Sequence, residues 1–352
     1  MAKQKFRPAR PGGFSGAKTY MRYVEILKKR RNAVGRTFCD AIINNLPSKS
    51  SNGKFGVTCS FKKTLQRGSN TMEMWYTEKH SENVGITMRV TQTLFSGNSE
   101  YQQLDVLDTV EFGRMMLLDG LVMVTERDEF VYHDMIVHPA LFTHPKPKNV
   151  LVIGGGDGGS IREIVKHPEV EEAVLCEIDG LVIEKSIELL PGLASEIDGS
   201  NPRVKLHVDD GLAYIREHQD NFDVIMVDST DPIGPAVGLF EEDFYRLVYG
   251  ALREDGIMVA QSESPFYHAQ IQQDMYRNMR NIFPIVEMYQ AFIPTYPSGY
   301  WSFAFASKKY HPVRDFKPER AAARAFYTKY YNEDLHLGAF MLPTFARENI
   351  AD

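Results

Sequence analysis

Acidic side chains gather at the ends of four apolar runs in this 352-residue sequence. The run at 149–153 leads into Gly154-Gly155-Gly156-Asp157-Gly158-Gly159, and the run at 173–178 closes on Glu177-Ile178-Asp179. The run at 204–208 is followed by Asp209-Asp210-Gly211, and the run at 222–227 by Asp228-Ser229-Thr230-Asp231-Pro232. Continuous apolar runs separated by helical stretches read as parallel strands buried on both faces. Ligands in such sheets bind beyond the carboxyl ends of the strands. The four segments therefore converge on one negative pocket, which would select a polycation. Asp228 is the hardest to read as structure alone, because it ends a buried strand, where a bare carboxylate is costly without a partner. Asp210 has a second reading as a helix N-cap, and for Asp179 capping is the main reading. Asp231-Pro232 has a second reading as a turn.

The glycine loop is ambiguous by itself. Gly154, Gly156 and Gly159 keep a dinucleotide-binding spacing, and Gly154, Gly156 and Gly158 a tighter one. Glycines there let the backbone approach a nucleoside, and an acid about 20 residues on can take ribose hydroxyls. Glu177 occupies that place. Asp157 decides between ligands: a carboxylate inside the loop would repel a pyrophosphate, but it suits a ligand carrying an amine or a sulfonium. The reading favours an S-adenosyl-type ligand over a nicotinamide dinucleotide. Upstream, Tyr132 and His133 either face the same cleft or are a satisfied core tyrosine and a surface histidine. Met115, Met116, Met123 and Met135 read as core filling.

The elements that must position these residues are legible in outline. Between 75 and 125, alternating runs at 86–90 and 104–107, and a hairpin with Asp119-Gly120 between 116–118 and 121–124, predict a small antiparallel β unit. A helix is expected over 129–142, stopped by Pro145 and Pro147. Strand and helix then alternate, with helices at 160–167, through 213–215, at 240–252 and at 267–282. A fifth strand falls at 256–260. The last two strands, 286–292 and 301–306, have no helix between them and should pair antiparallel. The expected class is α/β: a mostly parallel sheet with an antiparallel final pair, preceded by a small antiparallel β domain. The division is 1–71, 72–128 and 129–352.

Charge divides the chain further. The formal net charge is −6, but residues 1–71 carry 16 Lys+Arg against two acids, leaving 24 bases and 44 acids for the remainder. The acidic part would repel phosphate, so no nucleic-acid partner is expected for it. The basic part, with a weak helix signal over 20–32, reads as a transit peptide, a basic tail or dispensable sequence, and its deletion should leave catalysis intact. No apolar run approaches the roughly 20 residues of a membrane helix. Cys39 and Cys59 lie in the basic part and Cys176 stands alone in the rest, which leaves no disulfide framework or cysteine zinc site there and suits a reducing, cytoplasmic setting.

The glycine–aspartate segment at 154–159, Tyr132-His133, Asp209-Asp210-Gly211 and Asp228-Ser229-Thr230-Asp231-Pro232-Ile233-Gly234-Pro235 resemble the spermidine synthases, the polyamine aminopropyltransferases. So do Trp75-Tyr76-Thr77-Glu78, Val259-Ala260-Gln261 and the segment 293–299. The resemblance runs from about Met72 to the end, is nearest to the bacterial enzymes, and has no counterpart for 1–71. It implies a β domain, a Rossmann-like domain of the methyltransferase type, and a homodimer or homotetramer. The implied reaction moves the aminopropyl group of decarboxylated S-adenosylmethionine, a cosubstrate, to putrescine. It gives spermidine and 5′-methylthioadenosine, with no cofactor and no metal, because a sulfonium is already an activated leaving group.

By motif, the resemblance puts Gln102, Glu177, Asp210, Gly211 and Pro235 around the nucleoside and Asp157 at the aminopropyl ammonium. Asp228 is the implied base. His133, Asp157, Asp228, Ser229, Thr230 and Asp231, with Tyr132, Gln261 and Tyr296, are the implied putrescine side. The loop 233–239 is a candidate cover. Spermidine or agmatine as acceptor, and methyl transfer from S-adenosylmethionine, are the alternatives.

Overall fold

A computed structural model describes residues 72–230 and 238–351. The basic segment 1–71 with its helix at 20–32, Asp231, Pro235 and most of the loop 233–239 lie outside the described residues.

Five strands form the first sheet: β1 (Met74–Lys79), β2 (Gly85–Asn98), β3 (Gln103–Thr109), β4 (Gly113–Leu118) and β5 (Leu121–Thr125), antiparallel and in sequence order. Asp119 and Gly120 both have positive φ, as a two-residue hairpin between right-twisted strands requires. β2 is far longer than the run at 86–90 suggested. Beyond Val90 it is mostly exposed, with Leu94 and Phe95 half-buried side by side, and it is bulged against β3, so the alternation that announces a half-buried strand is lost.

The second sheet has seven strands in the order β11-β12-β10-β9-β6-β7-β8. These are β6 (Asn149–Gly154), β7 (Glu172–Glu177), β8 (Val204–Val208), β9 (Phe222–Asp228), β10 (Leu252–Gln261), β11 (Ile285–Phe292) and β12 (Tyr300–Ser307). The five from β8 to β10 are parallel, and β12 returns antiparallel between β10 and β11, as the missing helix implied. Chain order reverses between β6 and β9, where an open α/β sheet has its ligand crevice.

Around this sheet lie α1 (Glu129–Thr143), α2 (Gly159–Ile164), α3 (Gly180–Leu189), α4 (Gly211–Glu217), α5 (Glu242–Ala251) and α6 (Ala269–Arg280). α1 is buried on nearly all sides from Val131 onward, and its apolar surface has no single face. The helices expected over 160–167 and 240–252 are shorter than drawn, and β10 starts at Leu252, four residues before Gly256. Three further short helices, α7 (Pro318–Ala322), α8 (Glu333–Ala339) and α9 (Thr344–Asn349), were not anticipated.

The first sheet packs on the α3 region. Leu104, Val106, Met116, Leu118 and Val124 of that sheet pack with Val182 of α3 and with Leu190 and Leu193 just beyond it. Met115, Met116 and Met135 are buried, as core filling requires, but Met123 is only half-buried. Among the described residues, no helix is long and apolar enough to cross a membrane.

Candidate active site

A cleft of about 370 Å³ opens at the β6–β9 switch point, lined by both sheets. β9 delivers Asp228 beside Gly154, its partner in register on β6. Its two oxygens are both engaged: Tyr132 of α1 donates its hydroxyl to Oδ1 at 2.7 Å, and Ser160 of α2 donates to Oδ2 at 2.6 Å. Gly155 has φ +69°, and a Cβ there would fall 2.8 Å from Asp228 Oδ2, so a side chain is excluded twice over. Loss of solvent, and then the charge of Asp157, raise the Asp228 carboxyl above the ordinary carboxylate range, against the opposing influence of His133 and the two hydroxyls.

His133 is fully enclosed rather than on the surface. Its Nδ1 lies 2.7 Å from Glu129 Oε2 and its Nε2 3.3 Å from Asp157 Oδ1. Burial alone would push the imidazole down, but Asp157 and Glu129 outweigh it and hold the ring well above its usual value. Glu129 is buried yet held down at about 2 by His133 and Arg162. Asp157 Oδ1 also accepts from the Gly159 N–H at 2.7 Å, which fixes the carboxylate within its own loop.

On the opposite wall, Glu177 ends β7 and accepts from the N–H groups of Gly156 at 3.2 Å and Asp179 at 2.8 Å. Burial, then Asp179, outweigh those bonds and push its carboxyl up to about 7. Asp179 caps α3 through Leu181 N–H and also receives Gln102 Nε2 at 2.9 Å and Ser99 Oγ at 2.7 Å, tying the first sheet's β2–β3 turn to the cleft. Asp210 caps α4 through Leu212 N–H at 2.8 Å and lines the cleft beside Gly211.

The remaining residues named from sequence also reach the cleft. Ser229, Thr230, Gln261 and Tyr296 line it, with Tyr296 donating to Met123 O at 2.6 Å and its ring 5.9 Å from that of Tyr132. Gln261 is buried and bonded to Glu263. Twelve of the fourteen named positions are thus brought to one cleft or its immediate wall; Asp231 and Pro235 lie outside the described residues.

Sequence reasoning passed over several groups. Ser160 could have been suspected as the first hydroxyl after the glycine loop. Glu129 stands one turn before His133, a spacing that places two helix side chains together. Arg162 and Trp301 carried no local signal, and Glu78 belongs to the 75–78 segment of the resemblance but had no role assigned to it. Glu78 lines the cleft from β1, accepts from Val122 N–H at 2.7 Å, and is pushed up to about 7 by burial. Asp128 joins the sheets by accepting from Thr295 N–H and Oγ1 at 3.0 and 2.7 Å.

Among the described residues, Asp134, His138 and Glu163 have ligand atoms close enough to hold a metal ion. Each already has protein partners: Asp134 takes the N–H groups of Tyr330 and Tyr331, Glu163 takes Arg162 and Lys166, and His138 meets His167 at 3.0 Å.

Residues 129–318 match the spermine/spermidine synthase domain and residues 74–126 the spermidine synthase tetramerisation domain. A polyamine aminopropyltransferase of Shouchella clausii is 51% identical over 277 residues, covering 79% of this chain and 99% of its own. One of Bacillus subtilis is 51% identical over 278 residues, with the same coverage. The crystal structure of a spermidine synthase in complex with the transition-state analogue AdoDATO superposes with a TM-score of 0.77 at 44% identity, covering 79% of this chain and 94% of that one. Spermidine synthase from Thermotoga maritima gives 0.74 at 42% identity, with the same coverage. The chain belongs to the spermine/spermidine synthase family. It is an enzyme of the polyamine aminopropyltransferase class, with the two-sheet architecture of that family.

Proposed function

We propose that the enzyme transfers the aminopropyl group of decarboxylated S-adenosylmethionine to putrescine, releasing spermidine and 5′-methylthioadenosine. The observation that carries this reading is the pairing of Asp157 and Asp228 on one cleft, each with a neighbour from α1: His133 for the first, Tyr132 for the second. Two carboxylates with fixed partners suit a ligand with two cationic ends. A nucleoside would occupy the wall formed by Gln102, Glu177, Asp210 and Gly211, its ribose hydroxyls donating to Glu177. That a related spermidine synthase binds the transition-state analogue AdoDATO supports aminopropyl transfer as the reaction.

Putrescine arrives as a dication, because a primary amine is protonated at neutral pH. A charged nitrogen has no lone pair to attack carbon. Asp228, with its oxygens held by Tyr132 and Ser160, removes the proton directly or through water. The free amine then forms a C–N bond to the aminopropyl carbon as the C–S bond breaks, and the electron pair stays on the thioether. Ser229, Thr230, Asp231, Gln261 and Tyr296 would hold the acceptor so that one nitrogen reacts. Bringing both reactants into line supplies much of the acceleration.

The match of 74–126 to a tetramerisation domain supports a homo-oligomer. Exposed Met74 and Trp75 on the edge strand β1 fit such an interface. The experiment is a product assay with decarboxylated S-adenosylmethionine against putrescine, spermidine and agmatine. The reading expects spermidine from putrescine as the preferred product; preference for another amine, or methyl transfer from S-adenosylmethionine, would replace it.

A further inference from the structure

The Glu129–His133 pair is one end of a longer arrangement. Arg162 of α2 clamps Glu129 with both terminal nitrogens, at 3.1 Å to Oε1 and 2.8 Å to Oε2. Its Nε donates to Glu163 at 2.9 Å, and Nη1 also reaches Gly192 O at 3.1 Å, so the guanidinium is fixed from three sides. The line then runs through Glu129 and His133 to Asp157, with guanidinium, carboxylate, imidazole and carboxylate in alternation. Side-chain exposure is 17% for Arg162, 11% for Glu129 and 1% for His133, so water screens these charges weakly. Both ring nitrogens of His133 face carboxylate oxygens. A neutral imidazole would turn a lone pair toward one of them; only the imidazolium donates to both.

We propose that Glu129 and Arg162 are positioning residues for aminopropyl transfer: they hold His133 as an imidazolium, and through it fix the Asp157 carboxylate and the charge that Asp228 faces. The proposal rests on the reading of Asp228 as the base. Arg162 keeps its charge at any working pH, so Glu129 always has a cation to answer and His133 Nδ1 always has an anionic acceptor. Four groups face His133: Glu129 and Tyr132 from its own helix, Asp157 from the glycine loop, and Asp228 from β9, while Arg162 of α2 reaches it through Glu129. Removing the Glu129 charge leaves Asp157 as the closest anion, and the imidazolium loses one of its two supports. A neutral His133 no longer opposes the rise of the Asp228 carboxyl, so the base takes up its proton at a higher pH.

The test uses the full chain labelled with 15N-histidine, the His133 signal being assigned with a His133→Gln control. In the unliganded wild type, both ring nitrogens of His133 should stay protonated through neutral pH. In Glu129→Gln, which keeps shape and oxygen but not charge, the ring should titrate about one pH unit or more lower. The acid limb of kcat/KM should move upward by roughly half a unit or more, with kcat reduced about tenfold. Arg162→Lys, which keeps charge but loses the fork, should give a smaller shift of the same sign, and it carries the test if Glu129→Gln does not fold. A neutral His133 in the wild type at pH 7 would overturn the proposal. So would a loss of activity that follows the fall in Tm while titration and pH profile stay put. The titration needs no substrate, so a wrong acceptor assignment would show in the product assay and leave this result standing.

Discussion

Tyr132 and Asp228, 96 positions apart in the chain, meet at 2.7 Å through a hydroxyl-to-carboxylate hydrogen bond. The bond joins the first turns of α1 to the end of β9, and it withdraws one lone pair of the proposed base from the substrate. It also favours the ionised carboxylate. Tyr132→Phe should therefore raise the Asp228 pKa and move the acid limb of kcat/KM to higher pH. A charge-assisted bond of this kind contributes ~1.5–3 kcal/mol, so kcat/KM should fall by about ten- to a hundredfold near neutral pH. Partial recovery at higher pH is expected; a uniform loss across pH would assign Tyr132 to acceptor packing instead.

Glu177 gives a pH-dependent prediction. Its folded pKa of about 7 lies above the ordinary value near 4.5. Between those values the folded protein holds a proton that the unfolded chain has lost, so this group lowers stability as pH rises through that window. Urea melts of wild type and Glu177→Gln should differ by an amount that changes by roughly 2–3 kcal/mol between pH 4.5 and 8, the variant gaining relative to wild type. Ribose hydroxyls donating to the carboxylate would favour its charged form. Binding of 5′-methylthioadenosine to the wild type should therefore tighten from pH 6 to 8, and that trend should vanish in Glu177→Gln. Calorimetry in buffers of different ionisation enthalpy would detect the proton released.

Gly159 is a steric requirement. A Cβ there would lie 2.3 Å from His133 Cε1, and the ring is held on both sides by Glu129 and Asp157. Gly159→Ala should cost about 1–3 kcal/mol in a chemical melt, the usual range for overpacking. It should lower kcat/KM more than that loss explains, because His133 must leave Asp157. Unchanged kinetics in a folded variant would show that the His133–Asp157 contact is dispensable.

β6, β7 and β9 were readable because each is buried on both faces, and such runs have few other meanings; β8, expected to be like them, is the edge strand and is exposed along most of its length. Their acidic ends were readable for the same reason: Asp228 after Val224-Ile225-Met226-Val227 has no cheap structural role. Asp210 is both a cap and part of the cleft wall, since a cap at a strand end already sits at the ligand crevice, whereas Asp179 caps α3 and braces Gln102 from behind that wall. What escaped was of two kinds. β2 beyond Val90 and the three C-terminal helices lack a clean one-sided apolar pattern, so no period announces them. The Arg162–Glu129 clamp and the Ser160–Asp228 bond join residues 33 and 68 positions apart, and only the fold brings them together. The choice for His133 between cleft and surface is open in the sequence because its two carboxylate partners come from different elements.

If Asp228 is the group that frees the acceptor amine, as proposed, Asp228→Asn tests that role most directly. The asparagine keeps the size and one acceptor oxygen but cannot take a proton. With decarboxylated S-adenosylmethionine and putrescine, product analysis should find that spermidine and 5′-methylthioadenosine appear in equal amounts from the wild type. In the variant, turnover should fall by at least about a thousandfold, while 5′-methylthioadenosine still binds within about tenfold of the wild-type affinity. An asparagine variant that makes spermidine at near wild-type rate would contradict the account.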